Sequence, residues 1–247
     1  MKRTLLAASL SFTVAAWPLA SAADDDAARA RALTPAALAQ VLEGYQAYQS
    51  GDAAGAIQAW LPVTDVAPHK VQFQLGDLIA RGMGTGKDSA LAMTILAESA
   101  EHGHVGAQFL IGVLTESAAA PEFSAAGNWY RQAASTGMAQ AQNNLGVLYA
   151  NGLISPGDDG LGAEYWLAMA AAQGFADGQF NLGSLYERGE ATQADPVRAL
   201  AWFTLAARQG HSGAQTSADT LQARLTPAQL SQVNTLLNLG TLVTVSR

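Results

Sequence analysis

Apolar and small residues recur along the chain in two rows that keep the same period. The first row is a Leu-Gly or Ile-Gly pair, and its glycines are spaced 36, 34 and 37 residues apart: Gly76, Gly112, Gly146 and Gly183. The second row is a set of glycines, each eight residues after an Ile or a Trp: Gly103, Gly137, Gly174 and Gly210. Two anchored rows in each period predict two structural elements per repeat.

Both elements have the spacing of amphipathic helices. In the first element, Ala141, Leu145 and Leu148 are separated by four and three residues, which places them on one stripe of a helix. In the second, Trp166 and Ala170 follow the same rule, and Gly174 falls where a left-handed residue ends a helix. A helix pair cannot bury both of its faces, so the copies are expected to stack. The sequence predicts an all-α, right-handed α-solenoid of about five helix pairs plus capping helices.

The first helix of each pair contains an internal glycine, and the presence of this helix-destabilising residue requires an explanation. Gly146 lies in "NLGVLYANG" and costs about 1 kcal/mol of helix stability relative to alanine. We therefore expect a neighbouring helix to approach this position too closely for a side chain.

Further signals define the ends of the predicted repeat domain. "LTPAAL" and "LTPAQL" place Thr34 and Thr226 as N-caps, each followed by a proline at the first helical position. "AYQSGDAAGAIQAW" indicates a shorter additional copy over residues 47–60. The predicted organisation is a signal peptide (1–22), a disordered acidic N-terminus (23–29), one helical repeat domain (30–238) and a C-terminal tail (239–247).

The repeat pattern is Leu, Gly, two residues, Tyr, two residues, Gly, and then a Trp and paired alanines before a final Gly. It resembles the Sel-one-like repeat family, which is related to the tetratricopeptide repeat. The resemblance covers about Val71 to Gln215 in four copies, and the copy over 105–138 departs from it because "TESAAAPEF" lacks both Tyr and Gly. It implies a stacked helical repeat that binds proteins. Exported members of similar layout restrain sensor kinases or act in envelope assembly or virulence.

Composition and targeting narrow the possible functions. Lys2 and Arg3 precede an apolar run over 5–19 and then the small residues Ala20, Ser21 and Ala22, which is typical of a secretory signal peptide. We therefore expect export to a periplasm, with possible secretion, and no membrane insertion after cleavage. The net charge of −7 argues against a nucleic-acid partner. The chain has no cysteine, so no disulfide can form. We also expect a monomer.

The sequence gives no recognisable catalytic or cofactor motif. His104 and His211 stand where other copies have Met138 and Phe175, which indicates a packing position. His102 and His104 do not have a zinc spacing, "SPGDDG" has too few acids for calcium, and "GMGTGK" lacks the spacing of a phosphate-binding loop. No metal, cofactor or catalytic residue is predicted. The alternative is a secreted hydrolase-like enzyme acting on envelope or beta-lactam substrates, although the relatives linked to beta-lactam hydrolysis are rich in disulfides.

Polar residues on the first helices form the predicted partner-binding surface. They recur at four, three and four residues opposite the leucine stripe, on the side that the resemblance makes concave. The predicted residues are Lys70, Gln74, Asp77, Arg81, Gln140, Asn144, Asn151, Asp177, Asn181, Ser184 and Arg188. The prediction is a non-catalytic interaction module that binds a cell-envelope protein, such as the outer domain of a sensor kinase. A histidine and an acid within hydrogen-bond reach in this face would favour the enzyme instead.

Overall fold

The computed structural model describes residues 22–156, 161–189 and 193–239, and every regular element in these ranges is a helix. The earlier helices are α1 (Ala22–Ala32), α2 (Pro35–Ser50), α3 (Ala53–Trp60), α4 (His69–Arg81), α5 (Ser89–Glu101), α6 (Val105–Glu116) and α7 (Phe123–Ser135), with a 3-10 turn at Leu61–Val63. The later helices are α8 (Ala139–Ala150), α9 (Ala163–Ala172), α10 (Ala176–Arg188), α11 (Pro196–Arg208), α12 (Ala214–Gln222) and α13 (Pro227–Leu239). The predicted all-α class is confirmed.

The described residues divide into two compact units. The N-terminal unit ends at Gln132, and the C-terminal unit begins at Ala133. Successive helices pack as pairs within each unit: α2 with α3 and α4 with α5 in the first, α8 with α9 and α10 with α11 in the second. The helices α6 and α7 make a further pair, joined within the N-terminal unit by Tyr130. The prediction of about five helix pairs is confirmed, whereas one domain over 30–238 stays a prediction.

The mid-helix glycines mark the closest approach within each pair. A Cβ built on Gly76 would lie 2.6 Å from Leu96 Cγ, and one on Gly112 would lie 2.6 Å from the Tyr130 ring. In the C-terminal unit the corresponding distances are 2.7 Å from Gly146 to Leu167 Cγ and 2.9 Å from Gly183 to the Phe203 ring. All four partners are buried on the facing second helix. The expectation that these glycines allow close packing is therefore confirmed.

The predicted helix ends are also confirmed. Each glycine of the second row has a positive φ, as Gly174 does at 79°, and Gly152 after α8 has a φ of 65°. Thr34 accepts a hydrogen bond from the Ala37 amide at 3.2 Å and so caps α2. Thr226 Oγ1 accepts from the Gln229 amide at 3.3 Å, while Gln229 Oε1 accepts from the Thr226 amide, which forms a capping box at α13.

The N-terminal segment differs from its prediction. Residues 23–29, expected to be disordered, lie in α1, which contacts α4. Arg29 Nη1 donates to Glu98 at 2.7 Å, and Arg29 Nε donates to the Ala67 carbonyl at 2.9 Å. Asp25, Asp26 and Arg29 therefore belong to a packed helix, because their side chains find partners on α4 and α5. The predicted signal peptide lies outside the described residues except Ala22, and so does the predicted tail except Leu239.

Candidate functional site

The predicted partner-binding residues fall into three classes of exposure. Lys70 and Arg81 are exposed. Six are half-buried: Gln74, Gln140, Asn151, Asp177, Ser184 and Arg188. Asp77, Asn144 and Asn181 are buried, with 8%, 6% and 1% of their surface exposed. These three side chains lie inside the chain, which corrects the prediction that they reach a partner directly.

In the N-terminal unit, Asp77 and Arg81 pair along one face of α4. Arg81 Nε donates to Asp77 Oδ1 at 2.8 Å. Burial raises the pKa of Asp77, and the neighbouring guanidinium only partly offsets this effect. Gln74 Oε1 is buried and has no hydrogen-bond partner within the described residues. This face of α4 therefore carries an internal ion pair and the Gln74 side-chain oxygen, which has no hydrogen-bond donor among the described residues.

In the C-terminal unit, a chain of buried amides joins α8 to α10. Asn181 Nδ2 donates to Asn143 Oδ1 at 2.9 Å, and Asn143 Nδ2 donates to Asn144 Oδ1 at 3.2 Å. Asn143 is fully buried. Because each amide fixes the next, the network holds the two first helices in one relative position. Its members support the neighbouring surface rather than form it.

The half-buried members of the predicted face lie around this network. Asp177, in the first turn of α10, has Oδ1 at 3.4 Å from Nε2 of His211. Ser184 Oγ donates to the Phe180 carbonyl one turn earlier at 3.0 Å. Arg188 is the last residue of α10, and Asn151 is the C-cap of α8. The C-terminal unit thus presents several polar side chains from two helices that the amide chain holds together.

A row of glutamines was missed by the sequence analysis. Each side-chain Nε2 donates to a carbonyl eight residues earlier, near the end of the preceding second helix. The four pairs are Gln72 with Thr64, Gln108 with Ala100, Gln142 with Ala134 and Gln179 with Ala171. Each of these carbonyls also accepts a backbone amide, from Ala67, Gly103, Gly137 and Gly174 in turn, so the glutamine adds a second hydrogen bond. The glutamines thereby attach each first helix to the segment that precedes it in the same unit. Their signal is in the sequence, because each lies four residues before a seam glycine.

Comparison with known families now identifies the repeat. The Sel1 repeat model matches residues 69–104, 107–137, 139–175 and 176–211, which is more than half of the chain. The chain belongs to the Sel1 repeat family. The predicted α-solenoid class is thereby confirmed, and the Sel1 repeat fold is typical of protein-protein interaction modules. The family is generally a non-catalytic scaffold.

Two solved structures resemble this Sel1 repeat chain. A Sel1 repeat protein from Oxalobacter formigenes is 22% identical with a TM-score of 0.64, and the match covers 84% of this chain and 92% of that one. A protective antigen of uropathogenic Escherichia coli with an SLR fold is 22% identical with a TM-score of 0.44, and the match covers 82% of this chain and 60% of that one. The first supports the same fold. A comparison with curated proteins gives no match.

Two histidines occupy the same position in different Sel1 repeats and have a double role. His104 stacks on Phe73 with ring centroids 4.6 Å apart, and its Nδ1 accepts from the Ala107 amide at 3.2 Å. His211 stacks on Phe180 at 4.3 Å, and its Nδ1 accepts from the Gly213 amide at 3.3 Å. The predicted packing role is confirmed, and the hydrogen bonds to the next turn were not predicted. Burial lowers the pKa of His104 to about 4.

The contact between His211 and Asp177 is the kind of pair that would favour an enzyme. In the neutral ring, however, Nδ1 accepts the Gly213 amide, so the proton lies on Nε2 and faces Asp177. No lone pair of this imidazole remains to take a proton from a substrate. The same holds for His104, whose Nδ1 is engaged and which is buried. Neither histidine has the geometry of a general base.

Two tyrosines bind glutamates beside the helix pairs. Tyr186 donates to Glu164 at 2.7 Å, and burial together with that carboxylate raises the pKa of Tyr186 to about 12. Tyr130 donates to Glu116 at 2.6 Å, and burial raises the pKa of Glu116. Tyr186 therefore keeps its proton at neutral pH, and both phenols act as structural donors. The run from Gly82, considered as a phosphate loop, follows α4 with no strand before it, and the core of the "SPGDDG" segment lies outside the described residues.

Proposed function

We propose that this Sel1 repeat protein is an exported, non-catalytic module that binds another cell-envelope protein through the polar face of its first helices. The main support for the proposal is the half-buried polar surface of α8 and α10. Hydrogen bonds between the buried side chains of Asn144, Asn143 and Asn181 hold these two helices together. A rigid polar surface loses little side-chain entropy on binding, so its contacts are specific and effective.

The binding surface in this proposal is narrower than the sequence analysis predicted. Its contact residues in the C-terminal unit are the half-buried Gln140, Asn151, Ser184 and Arg188, while Asn144 and Asn181 have a positioning role. Arg188 is the residue with the largest expected contribution, because hot spots of protein interfaces favour arginine. Its Nε and Nη2 are buried in the unbound chain, so a partner carboxylate reaches the guanidinium only when this side chain turns outward. The face of α4 with Lys70 and Gln74 is a second candidate surface. The outer domain of a sensor kinase remains one possible partner class.

Export rests on the pattern of the first 22 residues. Among the described residues, no helix is both long and apolar enough to cross a membrane. The signal-peptide pattern is what supports export, and the proposal expects cleavage after Ala22 and a mature chain in the periplasm. Cell fractionation followed by N-terminal sequencing of the mature protein tests it, and a protein that retains Met1 in the cytoplasm would contradict export.

The binding test compares two arginines of the same unit. Arg188→Ala removes a guanidinium from the proposed face, whereas Arg208→Ala removes one from an exposed position at the end of α11. The partner is first captured from envelope extracts by cross-linking to the wild-type protein, and its dissociation constant is then measured with the purified pair. Arg188→Ala is expected to weaken binding by about 2 kcal/mol, and Arg208→Ala by less than about 0.5 kcal/mol.

Weaker binding by Arg188→Ala with unchanged binding by Arg208→Ala would support the proposed face. If binding instead survives Arg188→Ala, Asn151→Ala and Gln140→Ala but is lost with Arg208→Ala, the proposed face is wrong. Asn181→Ala is unsuitable for mapping contacts, because it leaves Asn143 Oδ1 without its donor and lowers stability for internal reasons. Circular dichroism of each variant controls for this effect.

A further inference from the structure

Helix α1 places a carboxylate against two stacked histidines of the N-terminal unit. His69 is the first residue of α4 and is fully buried, while His102 follows α5 and is exposed. Their rings are nearly parallel, with centroids 4.4 Å apart. Asp25 Oδ2 lies 3.0 Å from His69 Nε2, and one ligand atom from each of the three residues lies within 4.8 Å of the others. Two imidazoles and a carboxylate are therefore close enough to share one ion once the exposed His102 ring turns out of the stack toward it.

The hydrogen bonds around His69 fix which ring nitrogen carries its proton. Gln72 Nε2 donates to the Thr64 carbonyl at 2.9 Å and to Glu98 Oε2 at 2.8 Å, so the amide orientation is determined. Gln72 Oε1 then faces His69 Nδ1 at 2.9 Å and can only accept. His69 Nδ1 is consequently protonated. In the neutral ring, Nε2 presents a lone pair to Asp25, and two acceptors 3.0 Å apart require a cation between or beside them.

His102 has the same arrangement. Its Nδ1 lies 2.8 Å from the backbone carbonyl of Glu98, which can only accept, so Nδ1 carries the proton. The Nε2 lone pair of His102 is left for another partner. Donation of the second ring N–H to a carbonyl or an amide oxygen is the arrangement found around metal-binding histidines, because it fixes the tautomer and makes the ligating nitrogen more basic.

A divalent ion would engage all three side chains at once, whereas the contact between His69 and Asp25 engages only two of them. Asp26, the next carboxylate, accepts from the backbone amides of His69 and Lys70 and is committed to the start of α4. Asp25 remains the carboxylate that faces the imidazoles.

The geometry points to a divalent transition-metal site in which Asp25, His69 Nε2 and His102 Nε2 bind Zn²⁺ or a similar ion, with water completing the coordination. Nitrogen and oxygen ligands at about 2.0–2.2 Å suit Zn²⁺ in a four-coordinate site. His69 is fixed by its surroundings, while Asp25 and His102 are exposed and can close on the ion. The metal would join α1 to α4 and α5 and thereby order the N-terminal helix.

The sequence could not predict this cluster. Asp25 is 44 residues from His69, and His69 is 33 residues from His102, so no short spacing identifies them. The residue pattern predicts no metal site, and His102 and His104 are the two histidines that lie close together in the sequence. Those two side chains diverge, because His104 stacks on Phe73 and caps α6.

Titration calorimetry tests the site on the full chain, purified without a polyhistidine tag and treated with EDTA. Zn²⁺ is expected to bind the wild type with 1:1 stoichiometry and micromolar affinity. His102→Ala, which changes an exposed side chain, and Asp25→Asn should each weaken binding at least about tenfold. His211→Asn is the matched control and should bind as the wild type does. Absence of stoichiometric binding, or undiminished binding by His102→Ala, would overturn the site.

Limited proteolysis tests the consequence for α1. Trypsin can cleave after Arg31, which is exposed near the end of this helix. Zn²⁺ is expected to slow this cleavage several-fold in the wild type and in His211→Asn, but not in His102→Ala. Equal rates with and without Zn²⁺ in the wild type would refute the attachment of α1 by the metal. Co²⁺ gives an independent readout, since a tetrahedral site with nitrogen ligands produces visible absorption that His102→Ala should lose.

Discussion

Replacing Gly146 by alanine is expected to destabilise the C-terminal unit, although alanine is the better helix former. The added Cβ would lie 2.7 Å from Leu167 Cγ, 2.9 Å from Leu167 Cδ2 and 3.1 Å from the Leu167 backbone nitrogen. The Leu167 side chain is fully buried, and a close-packed interior leaves little space for another rotamer. Even if it did rotate, the backbone contact would remain, so α9 would have to move away from α8.

Two opposing contributions set the magnitude. Alanine gains about 1 kcal/mol over glycine inside a helix, because it restricts the unfolded chain and shields the backbone. Forcing an extra carbon into a packed seam costs about 1–3 kcal/mol. Since a backbone atom is involved, the upper part of that range applies, and the net loss is about 1–2 kcal/mol of unfolding free energy.

Urea unfolding followed by circular dichroism measures this loss as a lower midpoint at unchanged slope. Gly86→Ala is the control, because Gly86 is exposed and its Cβ would meet no atom within 4 Å. A second test places Gly146→Ala in a Leu167→Ala background, where most of the clash is gone. There the added methyl group should cost less than in the wild type, because only the contact with the Leu167 backbone nitrogen remains, so the two changes should not add. A Gly146→Ala protein that is as stable as the wild type would refute the steric explanation.

Three further predictions concern stability. Gln142→Leu should lower the unfolding free energy by about 1–3 kcal/mol in thermal denaturation, because the Ala134 carbonyl and Gln173 each lose a hydrogen-bond partner. Thr34→Ala should cost about 1 kcal/mol by removing the N-cap of α2, whereas Thr34→Ser should be neutral in the same assay. The pKa of His104 is lowered by burial from 6.5 to about 4, so the folded state binds this proton less readily than the unfolded chain does. The contribution of neutral His104 to the unfolding free energy is complete above pH 6.5 and decreases by up to about 3 kcal/mol as the pH falls to 4. In urea unfolding, the stability of His104→Asn should therefore depend less steeply on pH over this range than that of the wild type.

The fold could be predicted because its determinants are local and repeated. Gly146 and Gly183 are needed where two helices touch, and Gly174 is needed where a helix ends, so the repeat architecture appears directly as a spacing of residues. The four- and three-residue spacing of Ala141, Leu145 and Leu148 also predicted the buried stripe of α8. It could not give the degree of burial, because that depends on the next helix pair rather than on the helix itself.

Asn144 and Asn181 illustrate this limit. Their positions opposite the leucine stripe suggested an exposed polar face, yet neighbouring pairs bury both of them. The helical state of residues 23–29 was likewise unpredictable, because an acidic run at a chain end is usually solvated. It is ordered here through Asp25, Asp26 and Arg29, whose partners lie more than 35 residues away in the sequence.

Comparison of equivalent positions separates packing from other roles within the repeats. The residue three before each seam glycine is Phe73, Phe109 and Phe180 in three copies, but it is Asn143 in the fourth. Phe73 and Phe180 stack on the histidines that follow their helix pairs, so the aromatic ring at this position contributes to packing. An asparagine that is fully buried gives up this contact and must satisfy two polar groups instead. Because it satisfies them with Asn144 and Asn181, the copy over 139–175 exchanges apolar packing for a fixed orientation of two amides on α8 and α10. This departure from the repeat is a physical reason to look for partner recognition on α8 and α10 first.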